Sequence, residues 1–294
     1  MDSGEPAARD LPRISIVTPS FNQAPFLEQT LRSVLLQGYP NLEYMVFDGG
    51  SRDGSVEILQ RYSDHLTHWQ SEPDRGQAHA INQGLERASG EILAWLNSDD
   101  LLLPNALHRV AKLYQEIPEA AAWIGACYRI DGEGRLLSVV HGRGLEQKSI
   151  ADWGSKGFFY QPSCFFSAEA WHEVGPLDVK LRYAFDVDLW IRLAGAGAFA
   201  ATQDVLSAAV IHDEAKTQAE RSGMHAETIA VQVAHGFREA AEARLAHVAA
   251  RAAGRRGPQT RLLGRFWREL KELVRSPPPR PDRQSEPQFP LEEA

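Results

Sequence analysis

The chain has 294 residues, 43% hydrophobic and 24% charged, with a formal net charge of -8, which is the composition of an ordinary globular protein with ample core for one large α/β domain or two small ones. No stretch approaches the roughly 20 apolar residues of a membrane span, and the polar, acidic run Met1 to Asp10 does not read as a secretory signal. Residues 1–214 carry 17 Lys+Arg against 29 Asp+Glu, a balance that argues against nucleic acid as substrate.

Past a leader expected to be disordered over residues 1–12, strand and helix signals alternate. Ile14-Ser15-Ile16-Val17 predicts a strand, followed by the loop Thr18-Pro19-Ser20-Phe21-Asn22. Leu27, Leu31, Val34 and Leu35 form the i, i+4, i+7, i+8 stripe of a helix. Tyr44 to Phe47 predicts a second strand, closed by Asp48-Gly49-Gly50-Ser51-Arg52-Asp53-Gly54, and a helix then runs to about Tyr62. A short strand near Thr67 to Trp69 precedes a third helix marked by Ala78, Ile81, Leu85 and Ala88. The apolar run Ile92-Leu93-Ala94-Trp95-Leu96 is a further strand and ends abruptly in Asn97-Ser98-Asp99-Asp100. This alternation implies an α/β fold with a doubly wound, mostly parallel sheet. Beyond Pro104 the pattern turns mixed. Ala122 to Ile130 and Arg135 to Val140 read as a hairpin around Asp131-Gly132-Glu133-Gly134, and residues 158–212 combine an aromatic-rich helix with short strands. Lys216 to about Ala253 predicts helix, and the chain from Ser276 is Pro-rich. Cys127 and Cys164 lack CxxC spacing and read as buried thiols of a reducing compartment, so a cytoplasmic location is expected.

Two adjacent acids repel each other, so a positive partner is expected beside Asp99 and Asp100. The strand ends of an open α/β sheet form its ligand-binding edge, and a divalent cation carrying a diphosphate suits hard carboxylate oxygens. The alternative is the cap of a helix starting near Pro104. Asp48 closes the second strand as the acid pair closes a later one, which would bring these acids to one crevice; a plain capped turn is the other reading. Ser71-Glu72-Pro73-Asp74-Arg75-Gly76 offers carboxylates for a base or ribose hydroxyl and a guanidinium for phosphate. It reads equally as a capped helix start with a surface ion pair.

In order and spacing, Thr18 to Asn22, Asp48 to Gly54, Ser71 to Gly76, Ala80-Ile81-Asn82-Gln83-Gly84, Ser89-Gly90-Glu91 and Asn97 to Asp100 resemble the family 2 inverting glycosyltransferases. The likeness covers about residues 13–216 and implies the glycosyltransferase A fold. Residues 13–103 would be the nucleotide-binding half, with its sheet continuous with a mixed acceptor half over 104–216. By this resemblance Thr18, Pro19 and Asp48 face the nucleotide base with Arg75 nearby, and Ser20, Asn22, Gly49, Ser51 and Asp74 complete the donor site. Asp99 would contact the ribose, and Asp100 would ligate Mn2+ or Mg2+ through the diphosphate. Because Asp48 could accept the N–H that uracil offers, a UDP-sugar donor is expected, with a saccharide or lipid-linked hydroxyl as acceptor.

Phe185-Asp186-Val187-Asp188-Leu189-Trp190-Ile191-Arg192-Leu193 is similar to the family's acceptor-side motif, in which an acid begins a helix. The match implies Asp186 as general base, although Phe185 stands where the family usually has Glu. Asp188 competes for that role, and a helix N-cap is the structural alternative for Asp186. His212 corresponds to a histidine that completes the metal site in many relatives, and Lys216 to a basic residue on the diphosphate. Tyr160, Gln161 and Trp190 are acceptor-side candidates, although aromatics there are more often core.

Residues 217–275 are expected as a helical extension and 276–294 as a disordered tail. Leu262, Leu263, Phe266, Trp267, Leu270, Leu273 and Val274 make one apolar stripe flanked by Arg261, Arg265, Arg268, Lys271 and Arg275. Such a helix within residues 255–275 reads as a peripheral anchor on the inner face of the cell membrane. Packing on the catalytic domain, or on the second subunit of a homodimer, is the other reading. The rival function is a non-catalytic nucleotide-sugar or saccharide-binding protein on a degenerate transferase scaffold. Joint presence of Asp48, Asp99, Asp100, Asp186 and His212 favours the enzyme.

Overall fold

Along β1 (Ile14–Ser20) every residue is buried, and successive side chains enter opposite apolar layers. Ile14 and Ile16 belong to one core cluster and Val17 to the other. The same alternation holds in β2 (Leu42–Asp48), where Tyr44 and Val46 face one layer and Met45 and Phe47 the other. A strand apolar on both faces needs helices on both faces. The computed structural model describes residues 11–211 and 221–253, so His212, Lys216, the leader to Asp10, the basic helix within 255–275 and the Pro-rich tail lie outside the described residues.

Among the described residues, nine strands make one sheet. With β3 (His68–Ser71), β4 (Ile92–Trp95), β5 (Leu101–Leu102), β6 (Ala122–Asp131), β7 (Leu136–Val140), β8 (Cys164–Ser167) and β9 (Phe199–Ile211), the order is β3-β2-β1-β4-β8-β6-β9-β5. The β3-β2-β1-β4 half is parallel. The second half is mixed, with β8 antiparallel to both β4 and β6 while β6 and β9 run parallel. The expected hairpin is β6–β7, paired antiparallel with a bulge at Arg129/Ile130.

Helices α1 (Ala24–Leu35), α2 (Ser55–Tyr62) and α4 (Ala106–Glu116) contribute to one core layer. α3 (Gln77–Leu85), α5 (Gln147–Ala151), α6 (Ala168–Val174) and α7 (Phe185–Ala196) contribute to the other. Gly84 lets α3 lie close on β1, since a Cβ there would sit 2.5 Å from both Val17 methyl carbons. Two further helices, α8 (Arg221–Ala234) and α9 (Arg238–Ala253), form a hairpin where the sequence predicts one helical stretch. Gly236, at φ +81°, supplies the break.

β1 runs further than its apolar segment predicts, through Thr18, Pro19 and Ser20. Val17 O accepts from Leu96 and Ser20 O from Gly49, so odd-numbered residues turn their backbone groups toward β4 and even-numbered ones toward β2. Pro19 would therefore have donated toward β4, but pairing with β4 stops at Val17. The missing N–H costs nothing there. That parting of β1 and β4 opens a crevice at the strand ends, between the strands where the order reverses.

Candidate active site

A cleft of about 1280 Å³ starts at this parting and runs across the sheet edge to the α8–α9 hairpin. Its near wall includes Pro19, Ser20, Gly49 and Asp74, its floor Asn97 to Asp100, and its far wall Tyr160, Gln161 and Asp186. Ser20 is 4% exposed, and its hydroxyl has no hydrogen-bond partner. A buried, unsatisfied hydroxyl at a cleft is available to hydrogen-bond a ligand or a water. Gly49 is small for a reason: a Cβ there would lie 3.2 Å from both Asp74 Oδ2 and the Phe21 ring.

Asp99 and Asp100 do not cap α4. That helix begins at Ala106 behind Asn105, whose φ is +63°. Asp100 is 7% exposed and accepts from Asn97 Nδ2 at 3.1 Å. Burial, and then the Asp99 charge beside it, push its carboxyl well above the ordinary range. Such a pair is poised for a cation. Hard carboxylate oxygens on a cleft floor fit the protein's share of a Mg2+ or Mn2+ site that phosphate oxygens would complete. Among the described residues no group of three His, Cys, Asp or Glu converges to hold a metal alone.

Asp186 reaches the same cleft because α7 is docked on β4 by stacked rings: Trp95 and Trp190 lie 5.1 Å apart at 3°. Asp186 is not the N-cap, which is Ala184 without a side-chain bond. Its Oδ1 accepts from Val187 N at 2.7 Å. Burial first, and the Glu227 charge in addition, raise its carboxyl to about 6 against that hydrogen bond. A carboxyl with this proton affinity is suited to general-base work near neutral pH.

Several sequence candidates sit elsewhere. Asp48 is 2% exposed and outside the cleft lining. Its Oδ2 accepts from Gly50 N, Ser51 N and Ser71 Oγ, and its Oδ1 from Ser51 Oγ at 2.5 Å. It folds its own loop, and both of its oxygens already accept hydrogen bonds there. Thr18 is buried against the Tyr44 hydroxyl at 3.0 Å. Ser51 and Asn22 serve the same loop, Ser51 Oγ accepting from Asn22 N and Asn22 Oδ1 from Arg52 N. Arg75 is exposed and outside the cleft lining.

Trp190 is fully buried in the core stack, a correction to its acceptor-side reading. Asp188 is likewise closed off. His235 Nε2 lies 2.8 Å from its Oδ1 and Arg192 2.8 Å from its Oδ2. Burial would raise its carboxyl, but these two partners outweigh it and hold the group low, which makes Asp188 a structural anion and a weak proton acceptor. Sequence reasoning missed Arg129, on β6 at the cleft wall, whose buried Nε lacks a hydrogen-bond partner. Its charge, like that of Asp100, reaches Tyr160. Only the register of β6 against β9 brings it there.

The profile of the family described as Glycosyl transferase family 2 matches residues 15–175, more than half of the chain. The chain belongs to glycosyl transferase family 2. The chain is similar to the GalNAc(5)-diNAcBac-PP-undecaprenol beta-1,3-glucosyltransferase of Campylobacter jejuni, 33% identical over 47% of this chain and 45% of that one. The fold matches Staphylococcus aureus TarS 1-349 in complex with UDP-GlcNAc, at TM-score 0.61 and 15% identity over 76% of this chain and 66% of that one. It also matches the mannosyltransferase PcManGT of Pyrobaculum calidifontis in complex with GDP-Man and Mn2+, at TM-score 0.58 and 21% identity over 93% and 87%. These are glycosyltransferase A folds, as the sequence motifs imply. The chain spans 66%, 35% and 34% of the length of three Rickettsia glycosyltransferases that it resembles. The family match ends before α7, so Asp186 and the α8–α9 hairpin lie beyond it.

Proposed function

We propose that this family 2 glycosyltransferase is an inverting, metal-dependent enzyme that moves a sugar from a nucleoside diphosphate donor to a hydroxyl of a saccharide or lipid-linked acceptor. The observation that carries the reading is one cleft with an acid pair on its floor and a separate, proton-hungry carboxyl on its far wall. Residues 13–216 are the proposed catalytic domain and 217–275 its helical extension. Pro19, Ser20, Gly49 and Asp74 would hold the nucleoside, with Asp74 in place of Asp48 as the acceptor for a base N–H. Asp99 would take the ribose hydroxyls. Mn2+ or Mg2+ bound at Asp100, with His212, would supply Lewis-acid relief of charge on the departing diphosphate, and the PcManGT complex with GDP-Man and Mn2+ supports that class of ion. Arg129 would add fixed positive charge at the cleft wall, and Lys216 is the basic residue proposed for the diphosphate.

Asp186 takes the proton of the acceptor hydroxyl as that oxygen bonds to the anomeric carbon. The bond from this carbon to the diphosphate oxygen breaks with its electron pair, and the nucleoside diphosphate leaves from the opposite face. One displacement inverts the anomeric centre and needs no protein nucleophile. Tyr160 and Gln161 line the acceptor side, where Gln161 is fixed by Trp95 O at 2.7 Å and Asn97 Nδ2 at 3.2 Å. Uridine is the first base to try, since TarS 1-349 was crystallised with UDP-GlcNAc.

Isothermal titration of UDP and GDP, with and without Mn2+, on the wild type and Asp100→Ala tests the donor site. Metal-dependent binding lost in the variant is expected. Binding of neither nucleotide by the wild type would overturn the transferase reading.

A further inference from the structure

Three successive amides lead into α7, those of Arg182, Tyr183 and Ala184. All three donate to one carboxylate, Glu227 on α8, at 2.6–3.0 Å. Nothing in α7's own sequence caps its start. The anion comes instead from the C-terminal hairpin, 43 residues beyond Ala184. Consecutive backbone N–H groups that converge in this way form an anion-binding nest, and here the protein fills its own nest. The residue just after α8 grips α7 again one turn later, through the bond of His235 to Asp188. Asp186 lies between these two clasps.

We propose that Glu227 is a positioning residue for Asp186: by filling the amide nest at the mouth of α7, it fixes that helix start and sets where and how Asp186 faces the cleft. The inference rests on the reading of Asp186 as the base. Two physical effects follow, of one sign. A free helix N-terminus favours a nearby carboxylate over its protonated form, and Glu227 takes up that positive end. Glu227 also adds a like charge beside Asp186. Both keep Asp186 a stronger proton acceptor than the first turn of a helix ordinarily allows. Among the described residues, the entering loop, α7 and α8 also carry Arg182, Tyr183, His225, and Asp188 with its partners Arg192 and His235.

The test needs no donor or acceptor. The 294-residue chain labelled with carboxyl-13C aspartate is titrated by NMR as wild type, Glu227→Gln and Glu227→Asp, with the Asp186 signal assigned by its loss in Asp186→Asn. The wild-type midpoint is expected near 6, falling by about half a unit in Glu227→Gln. Glu227→Asp, which keeps the charge but draws it back, should recover part of that shift. A merely structural Glu227 would lower the melting temperature and leave the midpoint in place, and that result in either folded variant overturns the proposal. UDP and GDP titrations on the same samples separate the two readings. Donor binding by the wild type alongside an unmoved midpoint rejects only the role of Glu227, whereas a moved midpoint without donor binding rejects only the transferase.

Discussion

A carboxylate serves as a base only if its surroundings leave it protonatable near working pH, and Asp100, Asp186 and Asp188 are sorted on that criterion. Asp188 is spent on Arg192 and His235, Asp100 is paired with a like charge, and Asp186 keeps an intermediate proton affinity. Transfer should therefore lose rate as pH falls through about 6, where Asp186 takes up its proton and can accept no other. Asp186→Asn should lower kcat by about 10²–10⁴-fold with little change in donor KM, measured in initial-rate assays. Asp188→Asn should instead lower the melting temperature, because it leaves Arg192 and His235 short of their partner. Asp48 carries a similar distinction. Its replacement by Ala would strand two backbone amides and two hydroxyls, at a cost of roughly 2–4 kcal/mol in chemical denaturation. A residue that only touched a nucleotide base would leave stability unchanged.

At the scale of elements, α7 is held in place by its aromatic underside. Trp190 stacks on Trp95 and meets Phe159 and Phe166 edge-on. Trp190→Ala should cost about 3–5 kcal/mol, read as a lower denaturant midpoint. A sugar-stacking surface residue would raise acceptor KM alone. The elements themselves were legible in the chain because β1, β2 and β4 alternate between two apolar layers and their ends carry turn residues. The extension of β1 through Pro19 was not, since proline argues against a strand unless the neighbouring strand has already parted, which is a fact of pairing. The periodicity around Trp190 marks an apolar face without saying whether that face meets core or ligand. Asp48 shows the converse. Its place at a strand end was readable, but the spending of its oxygens on its own loop depends on Ser51 and Ser71 arriving together. Glu227 had no signal at all, because no local pattern links it to amides 43 residues away.

For the whole molecule, the cleft stores an unfavourable charge arrangement that binding would relieve. Asp100 holds its proton more tightly in the folded protein than it would in the unfolded chain. A carboxyl raised in this way detracts from stability as pH climbs from its unfolded value, near 4, through its folded one. The metal-free protein should therefore gain melting temperature when Asp100 is replaced by Asn at pH 7–8, the direction expected where a functional site is built against stability. Mn2+ with a nucleoside diphosphate should act on the same term with the opposite result. Cation charge beside Asp99 and Asp100 turns repulsion into attraction, and ligand at about 100 times its Kd adds roughly 2.7 kcal/mol, or about 5 °C for a chain of this length. Asp100→Asn should start higher and fail to gain that increment. Differential scanning fluorimetry of the two proteins, with and without Mn2+ and UDP, separates the outcomes: an Asn variant that melts lower without metal, or that rises with ligand as far as the wild type, would remove Asp100 from the donor site.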